Sequence, residues 1–485
     1  MLPLFYLLNL TNEYYPFLGI KDLITSISLW LLAIPLLLFI IIRLAFPQHT
    51  KYALLLLYLE ATYFLFGTLQ DFLKEHIANL AHYRYLIPLL LCVAILIGWS
   101  LKRASSPLSR PFLYFNTLFV ILVVMELTRS IAITTTDGQS KQWFHNNSDP
   151  RINASICDTC AKPDIYFIIF DGYSASRTLQ EYWNYNNHDL DSFLRQQDFY
   201  YAWHSRSNYN STPYSIGSIL NMDYHAGNQH KKINILEFCK KIESIQTNSV
   251  CNILEKNNYK VINLSYFSLP GQQAPFTMTY LTNKQKLLLN QTLWHRTNKD
   301  IGWNFRTSTK TASDREAAIA QADLNRAQVL KAYEGLLNTS AQKHQQPVFV
   351  YAHFLIPHDP YYYDSTGNKT SVDTWINTGL NAKENYLSQL KYTNTIIKNI
   401  ITRLKSEGDR PRVIILQSDH GFRSFGDKCL HQWEFNNLNA VYFPDQDYKE
   451  MYDSITSINT FPVLFRKYLH APIPLLKDST VYILK

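Results

Sequence analysis

Residues Val413–Gly421 read VIILQSDHG. The apolar run has the length and character of a strand buried on both faces, and it stops on Ser-Asp-His-Gly. Asp419 and His420 therefore emerge together at the carboxyl edge of a parallel strand, where open α/β sheets bind their ligands. A carboxylate beside an imidazole suits a borderline divalent cation, and Gly421 permits a sharp turn or a close backbone approach. Alone, Asp-His-Gly is more often an ordinary strand-to-loop turn. Its weight comes from other stretches that end in the same manner.

Upstream, Asn381–Leu404 carries Leu387, Leu390, Ile397, Ile400, Ile401 and Leu404 at helical spacing, with Gly408 past the end, and feeds this strand. Downstream, Asp427–Asn437 contains His431, and Leu438–Phe443 reads as a further strand. Ile165–Phe170, IYFIIF, is another buried strand, stopping at Asp171-Gly172-Tyr173. Val261–Leu264 and Val348–Ala352 are also strand-like, and the latter leads into HFLIPHDPY, His353–Tyr361. The prolines there force an extended loop that brings His358 to the rim. Within SNYNSTPYSIGSILNM, Ser207–Met222, Thr212 before Pro213 is a helix-start signature, with hydroxyl at N-cap and proline at N1. A hydroxyl at a helix N-terminus lies in positive potential beside free N–H groups, a setting that binds phosphate and favours an alkoxide. Each stretch also has a structural explanation: a capping acid, a capped helix, a packed histidine.

At 485 residues the chain is too long for one ordinary core. Composition divides it. From Leu23 to Ile133 it is dominated by Leu, Ile, Phe and Val, and after Asp137 it becomes an ordinary mixture. The expected organisation is a transmembrane helical domain at 1–135, a linker at 136–161 and a soluble domain at 162–485, which the resemblance given below implies to be catalytic. Leu23–Phe46, Tyr52–Leu69, Tyr85–Leu101 and Phe112–Ile133 each have roughly the 17–25 residues needed to cross a bilayer. Met1–Leu10 is either a marginal first span or an interfacial piece, giving four or five spans in all. Arg43 and Lys51, then Lys102, Arg103 and Arg110, place two connections in the cytoplasm, so the last span delivers the remainder outside it. The expected location is a bacterial inner membrane, multi-pass, with the catalytic domain extracytoplasmic. Glu60 and Glu126 lie inside apolar runs and either face a polar cavity or pair between helices.

The net charge of +8 comes without a basic block or a nucleic-acid-binding motif, so nucleic acid is discounted and anionic lipid or phosphate-bearing substrates are preferred. Among the six cysteines, Cys157 with Cys160 and Cys239 with Cys251 are candidate disulfides, equally readable as thiols.

FDGY at 170–173, Ser-Thr at 211–212, HFLIPHDPYY at 353–362 and SDHG at 418–421, in this order, resemble the alkaline phosphatase superfamily. The likeness is to its sulfatase-like branch, and most to membrane-anchored lipoteichoic acid synthases and phosphoethanolamine transferases. It implies an α/β fold, a doubly wound, mostly parallel sheet behind an N-terminal transmembrane bundle. Carried over by position, it implies one divalent metal ion, Zn2+ or Mn2+, held by Asp171, Thr212, Asp419 and His420. It further implies Thr212 as nucleophile, with Ser211 the alternative, and His358 and His431 on the substrate side. True sulfatases carry an arginine after their Cys/Ser-x-Pro-x pattern and paired acids after the first strand. Here Ser211–Ser215 lacks that arginine, and Gly172 follows Asp171.

The expected function is transfer of a phospholipid headgroup, phosphoethanolamine or phosphoglycerol, from a membrane phospholipid donor to an envelope glycan or lipid acceptor through a phosphothreonine. The alternatives are a hydrolase of phosphate or sulfate esters and a non-catalytic surface binding protein on the same fold.

Overall fold

A computed structural model describes residues 1–14, 36, 40, 49–104, 108–135, 160, 162–225, 235–276, 288–300, 312–376, 381–423 and 431–483. The chain forms two compact units, one of Met1–Trp143 with Thr279–Thr309, the other of Phe144–Met278 with Lys310–Lys485.

In the first unit, two described helices, Tyr83–Arg103 and Arg110–Ala132, are long and apolar enough to cross a membrane. The expected span Tyr52–Leu69 is broken: helices His49–Phe64 and Phe66–His76 meet at Leu65, and the pair Ala53–Phe64 and Phe66–His76 is bent by 65°. The break coincides with a contact to a segment distant in sequence. The Gly67 amide, which an unbroken helix would direct to residue 63, donates instead to the Gln291 carbonyl at 2.8 Å. The expected span Leu23–Phe46 lies, apart from Leu36 and Ile40, outside the described residues, as does the linker 136–161 apart from Cys160.

Leu2–Glu13 is a helix of 12 residues, about 18 Å long and too short to span. Its Asn9 and Asn12 amides donate to the Glu126 carboxylate at 2.9 and 2.8 Å. Glu126 thus pairs between helices, the second of the readings open from sequence. The segment Leu288–Asp300 joins the same unit. Tyr6 Oη donates to the Leu288 carbonyl at 3.0 Å, and Arg296 donates both Nη atoms to Asp71 at 2.8 and 2.6 Å.

The second unit is built on a mixed sheet of six strands: β1 Asp164–Phe170, β2 Tyr200–Tyr201, β3 Lys260–Leu264, β4 Val348–Phe354, β5 Arg412–Gln417 and β6 Asn439–Tyr442. Their order is β2-β6-β5-β1-β4-β3. The four strands β5, β1, β4 and β3 run parallel, while β6 and β2 continue the sheet antiparallel. All residues of β1, β4 and β5 are buried, which explains why the runs Ile165–Phe170, Val348–Ala352 and Val413–Leu416 within them are apolar. Phe170 stacks on Phe354 and Phe167 on Tyr351, at 4.9 and 5.3 Å between centroids, adding directional packing to burial. The helix Ala382–Ser406 presents Leu390, Ile397, Ile400, Ile401 and Leu404 as its buried stripe.

Cys251 is a free, buried thiol, so the candidate Cys239–Cys251 bridge does not form. Cys160 is disulfide-bonded.

Candidate functional site

The register sets Ile169 beside both His353 and Gln417, so β1, β4 and β5 end at one level. Three loops leave that edge together. The Asp171 amide donates to the Phe354 carbonyl at 2.9 Å, and the Tyr173 amide to Ser418 Oγ at 2.8 Å. Gly172 turns with φ +68°, and a Cβ there would stand 3.3 Å from the His358 ring. Glycine meets both demands: the left-handed backbone and the close approach.

The helix Thr212–Asn221 points its first turn at this edge. Ser211 is its N-cap and Thr212 its first residue, one position later than the cap expected for Thr212. Ser215 Oγ donates to the Asp419 carbonyl at 2.6 Å, tying the helix to the loop after β5. Thr212 Oγ1 lies 3.4 Å from His420 Nε2, on the side of the Asp419 carboxyl.

His420 Nδ1 faces the Gly421 carbonyl at 2.7 Å. A carbonyl only accepts, so Nδ1 carries the proton and Nε2 a lone pair. That lone pair faces Asp171 Oδ1 at 3.5 Å and Asp419 Oδ2 at 3.3 Å. Burial, then the Arg423 charge, hold His420 well below its ordinary pKa, so the ring is neutral. Burial pushes the Asp419 carboxyl up to about 6, reinforced by the Asp171 charge. Burial works in the same direction on Asp171, but the imidazoles of His358 and His353 outweigh it and hold that carboxyl well below the usual range.

Among the described residues, Asp171 Oδ1, Asp419 Oδ2 and His353 Nε2 are all buried without a hydrogen-bond partner. Orphaned buried acceptors are costly, and two carboxylates facing an imidazole lone pair repel unless positive charge lies among them. This donor set, rich in oxygen with neutral imidazole, fits a divalent cation of the zinc or manganese kind. Ligand atoms of Asp171, His358 and His420 all lie within 4.8 Å of one another.

His358 lines the mouth of the site, a hollow of about 250 Å3 bounded also by Gly172, His420, Phe422 and Arg423. Arg423 Nη2 donates to His358 Nε2 at 2.7 Å. His431 stands apart. It is exposed, 3.4 Å from Glu434 Oε1 and packed on the Tyr482 ring, and among the described residues it contacts none of Asp171, Thr212, Asp419 or His420.

Two residues at the site were not singled out from sequence. His353, on β4, lies 3.5 Å through Nε2 from Asp171 Oδ2, with Nδ1 on the Tyr351 hydroxyl at 2.9 Å. Its signal was its place in the same motif as His358. Arg423 had none.

Gly421 fixes the floor. Its amide donates to the Glu434 carbonyl at 2.7 Å, and a Cβ would stand 2.6 Å from the carbonyls of Trp433 and Asn436. Gly421→Ala is therefore expected to destabilise the protein by about 2–4 kcal/mol in chemical denaturation. A loss under about 0.5 kcal/mol would mean that the 431–436 turn gives way freely.

The sulfatase family model matches residues 193–463, a range that includes Thr212, His358, Asp419 and His420 and begins after Asp171. No curated protein matches the chain. Among solved structures, the C-terminal periplasmic domain of EptC from Escherichia coli in complex with Zn is 13% identical, with TM-score 0.42, covering 68% of this chain and 92% of that one. The integral membrane protein lipooligosaccharide phosphoethanolamine transferase A of Neisseria meningitidis is 14% identical, with TM-score 0.40, covering 96% and 94%. The phosphonate monoester hydrolase of Agrobacterium radiobacter is 13% identical, with TM-score 0.39, covering 63% and 73%.

Proposed function

Because the chain belongs to the sulfatase family, we propose that it is a membrane-anchored, metal-dependent phosphotransferase. It moves a phospholipid headgroup of phosphoethanolamine or phosphoglycerol type to a glycan or lipid of the cell envelope. The observation that carries this is the Thr212 hydroxyl, 3.4 Å from the His420 lone pair and beside buried carboxylate oxygens that lack partners among the described residues.

Asp171, Thr212, Asp419 and His420 are the residues that would hold the ion, Zn2+ or Mn2+. When bound it supplies positive charge to the nucleophile and to the phosphoryl oxygens. Thr212 Oγ1 forms the bond to phosphorus as the bond to the diacylglycerol oxygen breaks. The acceptor hydroxyl then takes the group from the phosphothreonine. The helix N-terminus favours the charge that develops at Thr212. Arg423, with His358 oriented by it, meets the non-bridging oxygens, the electrostatic help such a transition state needs most. His431 belongs to the outer, substrate side. Two described helices of spanning length and the basic residues at 43, 51, 102, 103 and 110 support a bacterial inner-membrane location with the second unit outside the cytoplasm.

The test is incubation of the purified protein with phosphatidylethanolamine or phosphatidylglycerol, followed by intact-mass and peptide analysis. A headgroup adduct on Thr212 with release of diacylglycerol is expected. An adduct on Ser211 would move the nucleophile by one residue. Free phosphate or sulfate released from esters, without any adduct, would turn the assignment to the hydrolase that the family match also favours. Neither metal nor turnover would leave a binding protein.

A further inference from the structure

The helix Ser176–Trp183, which follows Asp171, and the turn His431–Glu434, which braces Gly421, also wall a second hollow of about 310 Å3. Arg177, Arg206, Gln432, Trp433 and Asn436 line it. Arg177 Nη2 donates to the Asn436 side-chain oxygen at 2.6 Å, but its Nε is buried with no partner. The guanidinium of Arg206 has neither a hydrogen bond nor an ion pair among the described residues. Arg177 is destabilised as a cation by burial, a cost that the charges of Glu181 and Asp453 offset in part and that of Arg206 increases.

The nearby carboxylates do not neutralise the pair. Glu181 is exposed and makes no ion pair with either arginine, and Asp453 is engaged by the His204 ring and by the Trp203 amide. Two guanidiniums held near each other in a partly buried hollow repel, and an anion between them removes the repulsion. Guanidinium is also the side chain whose planar fork matches sulfate, phosphate and carboxylate oxygens. The remaining walls are the exposed Glu181, His204, Ser454, the amides of Gln432 and Asn436, and the indole of Trp433, held edge-to-face with Tyr182 at 4.8 Å. Amides pair with hydroxyls, and an indole face is suited to the apolar face of a sugar ring.

We propose that this hollow binds an oxyanion substituent of a saccharide, gripped by Arg177 and Arg206 with the sugar against Trp433. Resting on the phosphotransferase assignment, it is the subsite that selects an acidic glycan as acceptor. Its backbone supports it: the Ala175 amide donates to the Asn436 carbonyl at 3.0 Å, and Gly421 donates to Glu434. Hollow and carboxylate cluster thus share the 431–436 segment.

Titration calorimetry on the full-length protein in detergent, with EDTA present, tests this with glucose 6-sulfate, glucose 6-phosphate, glucuronate, glucose and inorganic sulfate. At least one acidic sugar is expected to bind, and glucose to bind far more weakly. Arg206→Gln should weaken binding about tenfold or more, since hydrogen bonds to charged groups are strong. Its thermal midpoint should not fall, because Arg206 makes no side-chain bond to lose and its removal relieves the repulsion on Arg177. Thr212→Val should bind as the parent does. Full affinity in both Arg206→Gln and Arg177→Lys, equal binding of glucose, or no binding of any acidic sugar overturns the proposal. Inorganic sulfate binding as tightly as glucose 6-sulfate overturns the saccharide assignment. Sugar binding in a protein that never forms a lipid adduct would keep the hollow and discard the transferase, whereas an adduct without sugar binding does the reverse.

Discussion

Thr212→Val is expected to lower turnover of any phosphate-ester substrate by about three orders of magnitude or more, with little change in thermal stability. Valine has the same branched shape, so packing at this buried position, 8% exposed, is kept. What is lost is the hydroxyl, whose neighbours are His420 Nε2 at 3.4 Å and the Asp419 carboxylate. Neither of these stabilises the helix, which is entered through Ser211 as its N-cap. The partner variant Ser211→Ala should retain most of the activity. Turnover of the valine variant within about tenfold of the parent would remove Thr212 from the chemistry, because that difference is about 1.4 kcal/mol of barrier.

Stripping divalent cations is expected to lower stability by an amount that grows with pH. In the stripped protein the Asp419 carboxyl is pushed up to about 6, from 3.8, by burial and the Asp171 charge. A carboxyl with a raised folded-state pKa binds its proton more tightly folded than unfolded. Its penalty is therefore absent below about pH 4, builds between about pH 4 and 6, and is complete above, at roughly 3 kcal/mol. Asp171 has the opposite shift, and its contribution is complete once the unfolded carboxyl has ionised, by about pH 5. Between pH 5 and about 6.5 the difference in slope between stripped and loaded protein belongs to Asp419, because His420, neutral in the folded state of both, contributes equally to each. A bound cation lets both carboxylates ionise, so the loaded protein should lose this slope, and its whole gain over the stripped protein is about 3 kcal/mol when the ion is at a hundredfold its Kd at that pH. Denaturation midpoints at pH 5, 6 and 7, with EDTA and with Zn2+ or Mn2+, measure it. Parallel pH profiles in the two conditions would show that no cation enters between Asp171 and Asp419.

The parallel core was legible because runs buried on both faces must be apolar, and those within β1, β4 and β5 are. The site's carboxylates were legible because each stands directly after such a strand. The helix at Thr212 was found but began one residue earlier than placed: both Ser211 and Thr212 can cap, and sequence does not rank two adjacent hydroxyls. His353 was hidden because a histidine just after an apolar strand is ordinarily structural, and only the fold, which sets its Nε2 3.5 Å from Asp171 Oδ2, reveals its place at the site. Arg423 belongs to a loop whose path no periodicity describes. The broken helix at Leu65 was invisible for another reason: the contact it coincides with, to the Gln291 carbonyl, reaches more than two hundred residues along the chain.

That contact also bears on how the protein can be cut. Leu288, Gln291 and Arg296 are bound by Tyr6, Gly67 and Asp71 of the first unit. A fragment started after residue 143 to obtain soluble enzyme would keep this hook and discard everything it fastens to, leaving Leu288 and Leu293 bare to water. A cleaner excision would take Thr279–Thr309 away with the bundle, because the covalent thread passes from one body to the other at three places, not one.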